Sequence, residues 1–436
     1  MSRNTPKLNS IGRLRIAGES TYLTEVTAAL AYFQQLGLDR SGLSLPALPN
    51  AYQRVDFHQD QIITGAQTGA LSFQFNPFGY SESIPSGAPT HSDPSDPGAS
   101  PAPTAFDMLI GILSSALGNA VVGGYTADES SSTTSQISAT TLDTFDDGQA
   151  FAFRGDTDDE WEVGWFKAIS NGTPDTATLL QQLADVPATS GTYAGKLWGS
   201  YTVFSKVGQP YNFDSSNSAA GATPPEAFTL EFLGHDADDS LTALGCFPSS
   251  ISFNFERGEI PTCDVTMSVG FFDEEGSGGA PTAGTWSFPL PESVLNAKVV
   301  WGTNAGTKLR VSGLTVDLNL DVQPMPDVCK NGGIGGMYVA GMDPTITFNV
   351  YRDVSEEVTD FADQNGKPFT AWFGSQPGRI IAFCIPDSYV QEYPAAAEEN
   401  NAVISTVVLK PGPNTGDGEA AAADTSSNTP FRIAFL

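Results

Sequence analysis

Residues 240–272, SLTALGCFPSSISFNFERGEIPTCDVTMSVGFF, carry the clearest structural signal in this chain of 436 residues. Residues 249–256 and 262–271 are short runs rich in aromatic and β-branched side chains, with Gly and Pro between them, which is typical of two strands joined by a turn. The second half contains a counterpart, AFCIPDSYV at 382–390, and both copies include Cys-x-Pro-x-Ser. The stretch predicts a strand-rich fold that occurs twice.

Further segments around this motif match in the same order in both halves. The matched pairs are ITGAQTGALSFQFNP (63–77) with VAGMDPTITFNVYRD (339–353), EAFTLEFLG (226–234) with KPFTAWFGS (367–375), and closing strands at 262–270 and 402–409. A helix is predicted after the first segment of each copy. The shared order of strand, helix, strand, Cys-x-Pro-x-Ser and strand predicts an internal duplication. The alternative is two unrelated β-domains with generic strand patterns.

Three helices are predicted from apolar spacings of three and four residues. The first follows Leu23, Val26, Leu30, Phe33 and Leu36 and ends at Gly37. The second, Thr104–Leu117, has Thr104 as N-cap with Asp107 three residues later, and Gly118 ends it. The third covers about 356–364 and ends at Gly366. Residues 77–103 and 411–429 are too rich in Pro, Gly and Ser to keep the apolar period of either a helix or a strand, and they are predicted as loops.

The fold class predicted is mainly β, with a duplicated strand-rich unit that includes a helix in each copy. Four segments follow from the composition shifts and the repeat: an N-terminal arm and helix (1–49), a first domain (50–122 and 200–285), a small inserted β module (123–199) and a second domain (286–436). Within the insert, Gln149–Phe153 and Trp161–Trp165 alternate and predict two strands around an acidic turn.

The charge balance of 20 Lys+Arg against 50 Asp+Glu gives a net charge of −30. A DNA-binding groove needs clustered cations, so this balance argues against one, and against an anionic membrane surface. No stretch approaches 18 consecutive apolar residues. The N-terminus has no continuous apolar region of the secretory type. Four Cys without a CxxC pair predict neither a disulfide scaffold nor a zinc site, and we expect reduced thiols.

No catalytic, cofactor-binding or metal-binding residue is predicted. The three histidines, His58, His91 and His235, lack metal-ligand spacing. No GxSxG nucleophile elbow occurs. The Gly-rich segment 331–341 lacks the GK[ST] residues of a phosphate-binding loop. Its sequence is more typical of a hairpin or contact loop. The 50 acids offer too many pairs for spacing to select a glycosidase pair.

Two acidic turns and two thiols can each be interpreted either as purely structural or as functional. Asp156, Asp158, Asp159 and Glu160, and also residues His235–Asp239, are candidate Ca²⁺ ligands, but neither run has EF-hand spacing, so a solvated turn is favoured. Cys246 and Cys384 lie in apolar strands with no His nearby in sequence, which favours buried inert thiols over nucleophiles.

In their order, these segments resemble the major tail tube proteins of long-tailed bacteriophages. The resemblance is carried by YQRVDFHQDQIITGAQTGALSFQFNPFG (52–79), the helix FDMLIGILSSALG (106–118), the strand, Pro-Ser-Ser turn and strand pair of 240–272, and the run from DPTITFNVYRD (343–353) to FCIPDSYV (383–390) and TPFRIAFL (429–436). It covers most of residues 50–436. The insert 123–199 and the segment 1–49 fit the pattern less well.

The resemblance implies two tandem tail-tube-type β-sandwich domains, each with a flanking α-helix. It also implies a non-enzymatic structural virion protein, with no cofactor, that assembles in the host cytoplasm and resides in the virion tail. Six tube domains form each ring, so a duplicated chain implies homotrimeric, pseudo-hexameric rings stacked into a tube. Its partners are other copies of itself, the tape measure, tail terminator and distal tail proteins, and viral DNA that passes without specific binding. An acidic lumen would let DNA slide, and a basic arm, residues 1–18, would reach a neighbouring ring. The alternative function is a secreted or surface β-sandwich protein, carbohydrate-binding or hydrolytic.

Overall fold

A computed structural model describes most of the predicted strands and the central helix. The residues it describes are 13–19, 22, 31–33, 35–43, 47–48, 63–64, 69–81, 83–87, 104–122, 125–126, 132–140, 142–170, 172–205, 227–233, 240–273, 292–295, 297–303, 308–329, 333–351, 361–364, 366–392, 396–399, 402–412 and 430–436.

The described residues are mainly β, as predicted. The strands before and within the inserted module are β1 (Arg13–Glu19), β2 (Ala31–Phe33), β3 (Gln35–Asp39), β4 (Ala47–Leu48), β5 (Ile63–Thr64), β6 (Gly69–Phe75), β7 (Gly118–Val122), β8 (Tyr125–Thr126), β9 (Gln136–Ala139), β10 (Ala150–Arg154), β11 (Trp161–Ser170), β12 (Asp175–Leu179) and β13 (Leu197–Gly199). Those that follow are β14 (Tyr201–Ser205), β15 (Ala227–Leu233), β16 (Ser240–Glu256), β17 (Thr262–Val269), β18 (Phe271–Asp273), β19 (Lys298–Trp301), β20 (Val311–Pro326), β21 (Ile334–Met342), β22 (Thr345–Tyr351), β23 (Lys367–Phe373), β24 (Ile381–Val390), β25 (Ala396–Glu399), β26 (Ala402–Pro411) and β27 (Arg432–Phe435). Helix α1 covers Ala105–Leu117, and residues 361–363 are also helical.

The matched segments of the two halves pair in the same order. In the first half, β6 pairs with β17, β17 with β16, and β16 with β15. In the second half, β22 pairs with β26, β26 with β24, and β24 with β23. All of these pairings are antiparallel. The segments matched in sequence therefore occupy equivalent places in two similarly connected units.

One antiparallel sheet runs through both units, and we call it the inner sheet. Its order is β3, β6, β17, the C-terminal part of β16, β20, β22, β26 and then the end of β24 together with β25. The two units meet where β16 pairs with β20, from Ser250 opposite Asn319 to Glu256 opposite Gly313. Alternate residues of each strand are buried against the core. One such cross-strand row is Leu38, Phe73, Val265, Ile251 and Leu318.

The Cys-x-Pro-x-Ser motif lies inside a long strand in both units, so the predicted turn at Pro-Ser-Ser is wrong. In β16, residues before the motif pair with β15 and residues after it with β17, with a register shift between Pro248 and Ser250. In β24, the partner changes from β23 to β26 across Pro386. Proline has no N–H for the ladder and is tolerated at a bulge. The motif therefore bends a strand from one sheet into another.

The outer sheets of the two units contain the other ends of these long strands. The first unit has the order β2, β1, β15, the start of β16 and β18. The second has β19, β23, the start of β24, β27, β14 and β7. Strands β7 and β14 were placed in the first domain by the sequence. However, β14 pairs with the C-terminal strand β27 and β7 pairs with β14, so both belong to the outer sheet of the second unit. The apolar core of the molecule lies between the inner and outer sheets.

Helix α1 begins where the sequence predicts. The Thr104 side chain accepts from the Asp107 N–H at 3.2 Å, and Asp107 accepts from the Thr104 N–H at 2.7 Å. This reciprocal pair satisfies N–H groups that have no partner inside the helix. Every residue of the helix is buried, because it packs against β14, β7, β16 and β1.

The predicted N-terminal helix is wrong over the residues that the structure describes. Ala31–Phe33 and Gln35–Asp39 are strands, and Leu38 is buried against the core while Leu36 is 50% exposed. Pairing of β3 with β6 overrides the helical spacing, because it buries Leu38 beside Phe73. Part of the predicted free arm is also a strand: β1 lies between β15 and β2, and Arg15 forms an ion pair with Glu231. Residues 1–12 lie outside the described residues.

The inserted module contains a separate six-stranded sheet in the order β8, β13, β10, β11, β12, β9. The two strands predicted around an acidic turn are β10 and β11, which pair from Ala150 opposite Trp165 to Arg154 opposite Trp161. One face of the module encloses its own core. The other face packs on the outer sheet of the second unit, where Trp165 and Trp198 join a cluster with Trp372 and Ala382. The module therefore covers the second unit, although it interrupts the first in sequence.

Candidate assembly surfaces and the module contact

The inner sheet presents a polar face opposite its buried face. Strand alternation leaves short hydroxyl, amide and acidic side chains on this face, either half-buried or exposed: Asp39, Ser72, Gln74, Ser250, Ser252, Asn254, Asp264, Thr266, Thr315, Asp317, Asn319, Thr347, Asn349 and Thr406. Lys410 is on the same face, and its amino group is 2.6 Å from the Asp343 carboxylate. The described part of this face is thus hydrophilic with an excess of acid.

A ladder of side-chain hydrogen bonds crosses four strands on this face. Gln74 donates to the Asp264 carboxylate at 2.8 Å, and Asn254 donates to its other oxygen at 3.2 Å. Thr315 then donates to the Asn254 carbonyl oxygen at 3.1 Å. The ladder spans β6, β17, β16 and β20, so it continues across the junction between the two units. Cross-strand pairs of this kind fix the register of neighbouring strands.

The inner sheet ends in edge strands on both sides. Among the described residues, β3 pairs only with β6, and β25 pairs only with β26. An edge strand carries a row of N–H and C=O groups that are available to another chain. Leu36 lies at a register shift between β3 and β6 and remains 50% exposed. Both ends of the sheet are therefore able to extend it.

A buried charge cluster fixes the module to the second unit. The Glu162 carboxylate, 2% exposed, is 2.9 Å from the Lys298 amino group and 2.8 Å from that of Lys308. Lys298 also contacts Glu160 at 2.7 Å, and this hydrogen bond and charge lower the pKa of Glu160. Burial tends to lower the pKa of Lys298, but the charge of Glu162 and the hydrogen bonds outweigh it and the pKa is raised. Both shifts favour the charged forms of Glu160 and Lys298.

A second polar contact joins the module to the second unit through Gln181. Its amide donates to the Gly302 carbonyl at 2.6 Å and to the Pro368 carbonyl at 3.1 Å, and it accepts from the Thr370 hydroxyl at 2.5 Å. Gln182 adds a backbone hydrogen bond to Thr303 at 2.8 Å. Sequence reasoning missed this contact, because no local pattern connects residue 181 with residue 370.

The predicted acidic turn of the module is largely occupied by protein partners. Asp156 accepts from the Thr189 N–H at 2.9 Å, Asp159 pairs with Arg154 at 2.7 Å, and Asp158 accepts from the Glu160 N–H at 3.0 Å. Carboxylate oxygens of Asp158, Glu160 and Glu162 lie within 4.8 Å of one another, but the two glutamates are paired with lysines. The carboxylates of the turn thus already have protein partners, and the solvated-turn interpretation stays a prediction.

The remaining sequence candidates fall into two groups. His58, His91 and the run His235–Asp239 lie outside the described residues. Cys246 and Cys384 are buried in β16 and β24, and burial raises the pKa of the Cys246 thiol well above its usual range. A thiol with a raised pKa is mostly protonated and is a poor nucleophile.

An open cavity with a volume of about 380 Å³ lies between the module and the second unit. Arg154, Trp161, Lys298 and Ser375 line it. Two of its charged groups are already paired, Arg154 with Asp159 and Lys298 with Glu160. Its walls are part of the module contact described above.

Comparisons with known proteins return no relative: no family model matches the chain, and no curated protein matches it. In the part of the chain that the structure describes, no helix is long and apolar enough to cross a membrane.

Proposed function

We propose that this chain is a self-assembling tube protein whose rings stack into the tail tube of a long-tailed phage. The observation that carries the proposal is the inner sheet, which joins two similarly connected units and ends in two edge strands. The junction between β16 and β20 joins one unit to the next within the chain. The equivalent junction between copies would join the edge formed by β24 and β25 to β3 of the next copy.

Repeating this junction closes a ring without any edge strand. The shared pairing order of the two units supports a duplicated tube domain, so three chains supply six units. Each chain contributes about eight strand positions to the inner sheet, so three chains contribute about 24. At a spacing of about 4.8 Å between strands, the ring has a circumference of about 115 Å before strand tilt widens it. A barrel of that size leaves a wide aqueous channel, since barrels of about 16 strands already do. Closure also removes the edges that otherwise promote aggregation.

The polar face of the inner sheet supports a role as a conduit for DNA. It would line the channel, because the opposite face is buried in the core. Its acids, such as Asp264 and Asp317, would repel the phosphate backbone, and its short hydroxyl and amide groups offer no clustered cations that would bind phosphate. DNA would then slide through the tube.

Electron microscopy and light scattering of the purified chain test the proposal. We expect negative-stain images of rings or tubes, and a ring mass of three chains. Leu36→Lys should abolish ring formation, because a lysine on an edge strand opposes edge-to-edge pairing. Ile260→Lys is the matched control, since Ile260 is 52% exposed and lies in the turn between β16 and β17, which are not edge strands.

Three results would contradict the proposal or part of it. A wild-type chain that stays monomeric at all concentrations contradicts tube formation and favours a monomeric β-sandwich protein. Equal ring formation by the two lysine variants contradicts the role of β3. Image averages with six chains per ring, each with one unit outside the ring, contradict the trimer.

A further inference from the structure

An apolar groove lies at one end of the inner sheet, where β16 ends and β20 begins. It has a volume of about 360 Å³. The apolar part of its lining consists mainly of Phe255, Leu295, Leu309, Val311 and Tyr351. Leu295 is 69% exposed, so the groove is open to solvent.

Two arginines flank this groove, Arg257 and Arg310. Both are exposed, and within the described residues neither has a carboxylate within 4 Å. The chain has only 20 Lys+Arg against 50 Asp+Glu. The two arginines have no acidic partner, and apolar side chains lie exposed beside them. The groove therefore suits an occupant that presents both a carboxylate and an exposed apolar side chain.

The opposite end of the same strand carries such a tip. Strand β20 runs from Val311 at the groove to Pro326, about 50 Å at about 3.3 Å per residue, and then returns as β21. At the tip, Val328 is 99% exposed, the most exposed large hydrophobic side chain in the described residues. The preceding Asp327 accepts from the Cys329 N–H at 2.8 Å, which orders the turn.

One face of this hairpin packs against the first unit, from Leu320 at its base to Ile334 next to its tip. Ile334, Met337 and Val339 are buried against Tyr22 and Phe247 of the first unit. The hairpin is therefore supported along its length, while its tip extends beyond the sheet. A supported apolar tip is preorganised for docking and loses little conformational freedom when it binds.

We propose that the groove receives the Asp327–Val328 tip of a second copy in the adjacent ring. This inference rests on the proposed function, because it concerns how rings stack. Groove and tip lie at opposite ends of β20, so copies stacked along the strand direction bring one against the other. Val328 would enter the apolar groove, and the Asp327 carboxylate would face Arg257 and Arg310. The contact is heterologous, so it propagates into an open stack.

Ring stacking in the full-length chain tests this contact separately from ring formation. Val328→Asp and Arg310→Glu should each leave trimeric rings intact but shorten or abolish tubes, with at least a tenfold loss of polymerised protein in a sedimentation assay. Ser170→Asp is the control for an added acid, because Ser170 is exposed on the module. The charge exchange Arg310→Asp with Asp327→Arg should restore polymerisation.

The outcomes separate the two proposals. If Val328→Asp polymerises like the wild type, or if Ser170→Asp fails equally, the docking of the tip is wrong while the tube function stands. Failure of the charge exchange to restore tubes refutes the pairing of Asp327 with the arginines. Loss of rings in Val328→Asp also counts against the inference, because the tip lies away from the edges that close the ring. A wild-type chain that forms no rings overturns the proposed function itself.

Discussion

Replacing Glu162 by Gln is expected to destabilise the contact between the inserted module and the second unit by about 3 kcal/mol. Removing one partner of a buried ion pair usually costs about 3–5 kcal/mol, because the other charge stays buried without compensation. Glu162 is 2% exposed and contacts both Lys298 and Lys308. Lys298 keeps Glu160 as a partner, which places the expected cost at the lower limit of the range.

Urea unfolding followed by tryptophan fluorescence measures this cost, because Trp161, Trp165, Trp198 and Trp372 all lie at the contact. The matched control is Asp159→Asn, which removes a similar ion pair on the same turn. Asp159 is 83% exposed, however, and an exposed pair contributes little. If the two variants have the same unfolding midpoint, the buried cluster does not hold the module in place.

A second variant separates burial of charge from packing. Changing Glu162 to Leu together with Lys298 and Lys308 to Met removes the three less exposed charges and leaves apolar side chains of similar volume, while Glu160 remains largely exposed to solvent. Replacement of a complete buried ion cluster is often neutral or stabilising. We therefore expect near-wild-type stability, and a loss as large as that of Glu162→Gln would refute the explanation by an unpaired buried charge.

The same contact should weaken in acid, because the pKa of Glu160 is lowered in the folded state. The stability that Glu160 contributes is complete above its ordinary pKa of 4.5 and disappears as the pH falls through the lower folded value. A pH titration of the unfolding midpoint, with Glu160→Gln as control, checks this. Thr104→Ala should destabilise the chain by about 1 kcal/mol through loss of the helix cap, measured by urea unfolding, while Thr104→Ser should have little effect. Replacing residues 125–199 by a Gly/Ser linker should reduce solubility, because Trp372 and Leu436 lose their cover; soluble tubes from such a variant would show that the module is dispensable. Assembled tubes should not retain duplex DNA, whereas Asp264→Lys should introduce salt-sensitive retention, and tight binding by the wild type would contradict an acidic lumen.

Local sequence was sufficient for many of the elements themselves. The matched segments 63–77, 226–234 and 339–353, which the repeat predicts to be strands, contain β6, β15 and β22. Their alternating burial depends only on a period of two residues, which is visible along the chain. The start of α1 was also predictable, because its cap involves two residues three positions apart. The matching of segments between the two halves likewise needed only the sequence.

Partners and placement required the folded molecule, because they depend on residues far apart in the chain. The spacing of Leu23–Leu36 predicted a helix, but β3 is a strand because it pairs with β6 and buries Leu38. The partner change at Pro248 depends on strands before and after β16. Nothing local indicates that the module would cover Trp372 or that Gln181 would bind Thr370. The period of apolar residues along the chain indicates which face of an element is buried. The element that covers this face is set by contacts between residues that lie about 80 to 230 positions apart in the sequence.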